Sequence, residues 1–334
     1  MENVLLVNAR DDANMIRVSV DSKNMPLNGG ALGVRFVTVV TELGYLGLSV
    51  SDLDAWRTYA SEIAGMEVVD EGEDDRLYLR MDLWHHRIAL YGNGEDDLAY
   101  LGWRVAGPVE FEDMQEKLRA ANIEFTVASS EEAKDRRALG LLKLTDPGGN
   151  PTEIFYGPQV DTYKPFHPGR PMFGGFLTGS QGIGHCILRQ DDVEAAIRFY
   201  RVLGLKGSVE YKLDLPNGMV AEPYFMHCNE RQHSVAFGLG PMEKRINHMM
   251  FEYTNLDDLG IAHDIVRQRE IDVALQLGKH ANDQALTFYC ANPSGWLWEF
   301  GWNARTAPTQ QEYYTRDIFG HGNEAAGYGM DIPL

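Results

Sequence analysis

Cysteine is scarce in this chain, with only Cys186, Cys228 and Cys290 among 334 residues. Three are too few for a disulfide framework, and no two of them form a CxxC pair. That usage fits a reducing cytoplasm. No apolar run approaches the length of a membrane span. No basic segment followed by an apolar core opens the chain, so secretion is not expected. Basic residues are outnumbered, 30 against 49 acidic ones, for a net charge of -19. Nucleic acid is thereby disfavoured, because phosphate binding needs a basic footprint, and so is an anionic membrane surface. The charge suits the solubility of a large assembly instead. A P-loop, a strand-linked GxGxxG and a GxSxG elbow are also missing, which leaves nucleotide and serine-hydrolase chemistry without a site.

What is present is an ordinary apolar fraction and enough length for two domains. Internal similarity organises them. Leu43–Val50 parallels Ile183–Leu188, and each is followed by a helical pattern: Leu53, Trp56 and Ala60 in one case, Val193, Ala196, Ile197 and Tyr200 in the other. His85–Leu90 parallels Gln232–Phe237, and Tyr100–Trp103 parallels His248–Phe251. Asp146-Pro147-Gly148-Gly149 leading to Glu153 parallels Asn292-Pro293-Ser294-Gly295 leading to Glu299. Each half holds the same unit twice, a strand, a helix and about three strands. The second helices are marked by Phe111, Met114 and Leu118, and by Leu259, Ala262 and Val266.

The expectation is an α+β protein whose curved sheets enclose a cavity. It has an N-terminal extension over 1–40, poorly ordered or an artefact of start-site choice. A metal-free domain follows over 41–160, a linker rich in proline over 161–179, a catalytic domain over 180–302 and a tail over 303–334.

The two halves differ where chemistry is at stake. His185 aligns with Tyr45 and His248 with Tyr100, while Glu153 stands opposite Glu299. The first half lacks both imidazoles, so one metal site is expected, in the second half. Two imidazoles and one carboxylate, with other positions open, suit Fe(II) oxygenases, although ligand identity alone leaves Mn(II) open. His233 is expected beside the site, close enough to shuttle a proton without coordinating. His280 can hydrogen-bond a substrate hydroxyl, and the Tyr289 hydroxyl can donate to a developing oxyanion. Asp283 either orients His280 or caps a turn, and Asn292–Gly295 reads as a β-turn. His85, His86 and His227 are read as structural, and His263 as a solvated helix residue.

The stretch Gly278-Lys279-His280-Ala281-Asn282-Asp283 through Tyr289 to Glu299 resembles the signature of type I extradiol ring-cleavage dioxygenases, in the vicinal oxygen chelate superfamily. Asp75–Asp82, Trp84–Arg87, Leu101–Gly107, Phe166–Pro171 and Asp317–Gly322 are most similar to the 1,2-dihydroxynaphthalene dioxygenases, with the 2,3-dihydroxybiphenyl enzymes near neighbours. The resemblance implies four βαβββ modules in two domains, each a curved incomplete barrel. It implies Fe(II) held by His185, His248 and Glu299, with His233, His280 and Tyr289 around it. It implies an aromatic pocket lined by Ile187, Phe225, Asn282 and Asp283, and a homo-oligomer, commonly an octamer. The activity implied is extradiol (meta) cleavage of an aromatic vicinal diol with O2. The diol is first 1,2-dihydroxynaphthalene, with 2,3-dihydroxybiphenyl-type diols also accepted. Gln232 departs from the pattern, since many relatives carry a second histidine there. A non-redox isomerase, epimerase or glyoxalase-like enzyme on the same fold is the alternative, and a module that only sequesters an aromatic ligand ranks last.

Overall fold

The computed structural model describes residues 38–73, 75–214 and 220–322. Apart from Thr38, Val39 and Val40, the N-terminal extension expected over 1–40 lies outside the described residues, as do residues 323–334 of the tail.

The first sheet is built from β1 (Glu42–Ser49), β2 (Glu67–Val69), β3 (Arg76–Arg80), β4 (Ile88–Tyr91), β5 (Asp97–Arg104), β6 (Phe125–Val127), β7 (Gly140–Thr145) and β8 (Pro151–Tyr156). Its helices are α1 (Leu53–Thr58), α2 (Pro108–Ala120) and α3 (Ser130–Asp135). The second sheet holds β9 (His185–Leu188), β10 (Lys206–Tyr211), β13 (Tyr224–His227), β14 (Val235–Phe237), β15 (Ile246–Tyr253), β16 (Val273–Lys279), β17 (Leu286–Ala291) and β18 (Leu297–Trp302). A small hairpin, β11 (Leu213–Asp214) with β12 (Val220–Ala221), interrupts it, and α4 (Val193–Leu203) and α5 (Leu256–Gln268) cover it. The tail adds β19 (Glu312–Tyr314) and β20 (Phe319–Gly320).

Strand–helix–strand–strand–strand therefore recurs four times, with α3 inserted in the second unit and the hairpin in the third. In every unit the first strand pairs in parallel with the last. The first strands of paired units join antiparallel, β1 to β5 and β9 to β15. All eight residues of β1 are buried, as befits a central strand.

Local signals set the helix ends. Asp52, Asp192 and Asn255 cap α1, α4 and α5 by accepting backbone N–H bonds, and Ser129 with Glu132 forms a capping box on α3. Pro108 opens α2, where a missing N–H costs nothing. The apolar stripes expected from spacing are the buried faces: Phe111, Met114 and Leu118 on α2, and Leu259, Ala262 and Val266 on α5. Each of the larger side chains contributes about 1.5–3 kcal/mol on burial, and Ala262 less.

The first helix of each half reaches across to the other half. Trp56 Nε1 on α1 donates to Ser294 Oγ at 2.9 Å, in the turn between β17 and β18. Tyr200 on α4 donates to Asp146 Oδ2 at 2.9 Å, in the corresponding turn between β7 and β8. One apolar core consequently runs through both sheets. The proline-rich linker is pinned by two buried arginines. Arg170 Nε donates to the Ile63 carbonyl at 3.0 Å, and Arg80 Nη1 to the Pro165 carbonyl at 3.3 Å.

In the second sheet the strand order is β19-β10-β13-β14-β9-β15-β18-β17-β16-β20. Its outermost members are both tail strands, joined by residues 315–318 alone. The tail therefore spans from one edge of this sheet to the other.

Candidate active site

Alternation along the strands decides which side chains meet. Cys186, Leu188, Met249, Phe251, Phe288, Cys290, Trp298 and Phe300 join the common core. His185, His248, Tyr289 and Glu299 have the opposite parity and share the other face. Register then brings them together. His185 pairs with Met250, Met250 with Glu299, and Glu299 with Tyr289, one row across β9, β15, β18 and β17. His248 lies opposite Ile187 in the next row on that face.

Glu299 is fully buried, and its Oε2 lies 3.0 Å from His185 Nε2 and 3.3 Å from His248 Nε2. The three ligand atoms fall within 4.8 Å of one another. Burial holds both imidazoles below the ordinary histidine value. On Glu299 burial acts upward, but the imidazoles of His185, His248 and His280 outweigh it and hold the carboxyl well below the usual range. Neutral imidazoles beside an ionised carboxylate are the states that metal ligands need. The surroundings fit a cation as well. His248 Nδ1 donates to Asn247 Oδ1 at 2.9 Å, which leaves Nε2 as the coordinating atom. Glu299 Oε1 is buried without a hydrogen bond among the described residues, a costly state for a carboxylate oxygen in the absence of a cation. His185, His248 and Glu299 thus form a two-histidine, one-carboxylate metal site.

His233 lies just before β14, its ring centroid 3.8 Å from that of His185 and 4.8 Å from that of Phe225. Its Nδ1 donates to Gln232 Oε1, and its buried Nε2 has no partner among the described residues. Burial, reinforced by His185, pushes the imidazole well below its ordinary value, so it is neutral. Gln232, the departure noted above, thus holds the His233 ring with the Nε2 lone pair free. On the far side of Glu299, His280 Nε2 lies 2.6 Å from the Tyr289 hydroxyl and 3.4 Å from Glu299 Oε1.

Ile187 and Phe225 pack with Val209, Tyr211 and Ala236 in a small apolar cluster distinct from the main core. Asn282 and Asp283 are buried in the turn after His280. Tyr211 Oη approaches Asn282 Oδ1 at 3.4 Å. Of the two roles left open for Asp283, the turn cap is the one seen, because its Oδ1 accepts the Ala285 N–H at 2.9 Å. His280 Nδ1 meets Asp317 instead, at 2.9 Å. His85 and His86 are buried against each other and Tyr78, and His227 Nδ1 bonds the Asn229 carbonyl. His263 departs from expectation: it is half-buried, with its ring centroid 5.0 Å from that of Phe288.

Three residues near the site were not anticipated there: Tyr211, Asp317 and His321. Asp317 and His321 come from the tail, whose strands are too short to show a period. Their trace in the sequence is the Asp317–Gly322 stretch noted above for its resemblance, which gave no role to either side chain.

The same register repeats in the first half with other side chains. Tyr45 pairs with Gly102 and Gly102 with Glu153, and Tyr100 lies opposite Gly47. Tyr45, Tyr100 and Glu153 thus take the places of His185, His248 and Glu299. A Cβ on Gly102 would come within 2.2 Å of the Tyr45 ring, and one on Gly47 within 2.3 Å of the Tyr100 ring, so the two glycines make room for the phenols. Arg136 supplies the cation. Its Nε lies 3.1 Å from both Glu153 oxygens, its guanidinium carbon sits 3.9 Å from the Tyr100 ring centre, and Tyr45 donates to Glu153 at 2.7 Å. Burial still pushes the Glu153 carboxyl up, with Arg136 opposing.

Arg136→Met is therefore expected to lower the unfolding free energy by about 3 kcal/mol at neutral pH, because it strands a buried carboxylate. Metal content should be unchanged. The loss should shrink as pH falls, since protonating Glu153 removes the stranded charge. Denaturant midpoints at two pH values check this, and a midpoint equal to wild type at neutral pH would discard the counter-ion role.

Comparison with known proteins places this geometry. Residues 182–300 match the Glyoxalase/Bleomycin resistance protein/Dioxygenase superfamily, and residues 43–92 match Dihydroxybiphenyl dioxygenase BphC D1. The chain is 81% identical over 298 residues to a biphenyl-2,3-diol 1,2-dioxygenase of Sphingomonas paucimobilis, covering 89% of this chain and 100% of that one. It is 81% identical over 295 residues to a 1,2-dihydroxynaphthalene dioxygenase of Sphingobium xenophagum, covering 88% and 99%. A crystal structure of a catechol 2,3-dioxygenase superposes with a TM-score of 0.86 at 71% identity, covering 89% and 99%. With a buried two-histidine, one-carboxylate site on the fold these relatives share, the chain belongs to the extradiol ring-cleaving dioxygenases of the vicinal oxygen chelate superfamily.

Proposed function

We propose that this chain binds Fe(II) through His185, His248 and Glu299 and cleaves an aromatic vicinal diol with O2, at the bond beside the two hydroxyls. The favoured substrate is 1,2-dihydroxynaphthalene, with 2,3-dihydroxybiphenyl-type diols also accepted. The observation that carries this reading is the buried triad, flanked on one side by His233 and on the other by His280 and Tyr289. Bound iron would supply the electronic link between diol and oxygen that neither can make directly.

The chain's own residues do the rest. Ile187 and Phe225 present an apolar wall to an aromatic ring, and Asn282 and Asp283 line the turn beside it. His280 and Tyr289 lie where a hydroxyl next to Glu299 would be hydrogen-bonded. His233 offers a bare, neutral Nε2 on the other side, suited to taking up and returning a proton.

A division into a metal-free domain over 41–160 and a catalytic domain over 180–302 belongs to the same reading, as do a cytoplasmic location and assembly into a homo-oligomer, an octamer by resemblance. The three cysteines are unpaired, which supports a reducing compartment. Exposed Leu83, Leu139 and Tyr163 offer apolar area for subunit contacts.

The test is anaerobic loading with Fe(II), addition of 1,2-dihydroxynaphthalene or 2,3-dihydroxybiphenyl, then admission of O2. One O2 should be consumed per diol, with a new ring-fission absorbance and faster turnover on the bicyclic diol. Silence with both diols would reject the proposal, and faster turnover on the biaryl would reverse the substrate order.

A further inference from the structure

Next to the metal site lies a second cluster of titratable groups, His280, Asp317 and His321, whose ligand atoms also lie within 4.8 Å of one another. The hydrogen bonds within it run in a definite order. Asp317 Oδ1 receives His280 Nδ1 at 2.9 Å and the Tyr211 hydroxyl at 3.2 Å. Asp317 Oδ2 receives His321 Nδ1 at 2.7 Å. The outer nitrogens are engaged too. His321 Nε2 faces the Thr287 hydroxyl at 2.9 Å, and His280 Nε2 faces the Tyr289 hydroxyl at 2.6 Å.

This order fixes tautomers. An ionised Asp317 can only accept, so both imidazoles carry a proton on Nδ1 and turn Nε2 toward the two hydroxyls, which can accept or donate. Every nitrogen of both rings is thus engaged by a neighbouring side chain, so a metal here would have to displace bonds already made. A carboxylate behind a histidine that faces a reacting group is a recurrent way of locking ring angle and tautomer. The mainchain is held as well. The Tyr211 hydroxyl accepts the N–H groups of Ala281 at 3.1 Å and Asn282 at 3.3 Å, while β20 pairs Gly320 with Gly278 and Phe319 with Lys279. Asp317 is thus anchored to the strand that ends just before His280, by a tail strand that directly precedes His321.

We propose that Asp317, clamped by His321 and Tyr211, is a positioning residue for ring cleavage, holding His280 with its Nε2 turned toward Glu299 and Tyr289. It is not a catalytic residue, because it reaches the site only through His280. The inference rests on the assignment of His280 to the diol site made above.

The test is a double-mutant cycle on the full, Fe(II)-loaded chain with 1,2-dihydroxynaphthalene as substrate. Asp317→Asn keeps the shape but cannot accept from both imidazoles. It should lower kcat by about 10–100-fold while iron content stays at wild type, the range found when an orienting partner is removed. In the His280→Ala background the same change should cost less than about twofold, because nothing remains to be oriented. A purely structural role would give similar losses in both backgrounds. If Asp317→Asn does not fold, His321→Leu, which strips one donor from Asp317, serves the same cycle and should lower kcat only while His280 is present. Wild-type kcat in Asp317→Asn, or additive losses in the double variant, would overturn the inference while the activity itself stands. So would a second equivalent of metal in the wild type that Asp317→Asn loses. A wild-type chain that cleaves no diol would overturn this inference and the proposed function together.

Discussion

Glu299→Ala is expected to lose its metal and to lower turnover by at least about 10³-fold, the rate equivalent of some 4 kcal/mol of ligation. Glu299 Oε2 is the point on which the two imidazoles converge, at 3.0 and 3.3 Å, and it brings the only negative charge of the ligand set. Two neutral imidazoles alone bind a hard divalent ion poorly. The side chain stands at the centre of the row that joins β9, β15, β18 and β17, so the backbone has other reasons to keep its path. The variant should therefore fold, and elemental analysis after gel filtration should find little iron. Stoichiometric iron in the purified variant would remove Glu299 from the ligand set.

His233→Ala should give the complementary result, with full iron content and a kcat lower by about 10²–10⁴-fold, the span usual for loss of a positioned acid–base group. Its ring lies against that of His185, tilted by 34°, but its nitrogens stay outside the ligand group. Removing the ring leaves His185 buried, and the bond from Nδ1 to Gln232 Oε1 is replaced by an unpaired amide oxygen at modest cost. Rapid mixing of the anaerobic iron–diol complex with O2 would locate the defect. The binding of diol before O2 is admitted should be normal, and the later phase slow. Loss of iron from His233→Ala would instead make it a ligand.

Much of this was legible in the sequence because duplication turns one chain into its own comparison. The pairing of Tyr45 with His185, Tyr100 with His248 and Glu153 with Glu299 needs no structure. The strand registers then put each pair at equivalent points. The helices were legible for a simpler reason, since Phe111, Met114 and Leu118, or Leu259, Ala262 and Val266, recur at helical spacing. What escaped has no period to read. Arg136 sits just past the end of a short helix, and nothing in its neighbours says that its guanidinium folds back onto Glu153. Asp317 and His321 lie in a tail whose strands take their place only because both sheet edges are waiting for them. Asp283 was the nearer candidate for orienting His280 by sequence distance, yet its carboxylate turns to the Ala285 amide.

The reach of that tail has a further consequence. An outermost strand leaves backbone donors and acceptors open to any passing extended chain, which is a common start to intermolecular pairing. In the lobe that binds the metal, Glu312–Tyr314 shields part of one margin and Phe319–Gly320 part of the other, with a four-residue connection between them. The same short segment that steadies an active-site histidine therefore also covers part of β10 and β16, and leaves strands of only three and two residues at the two margins.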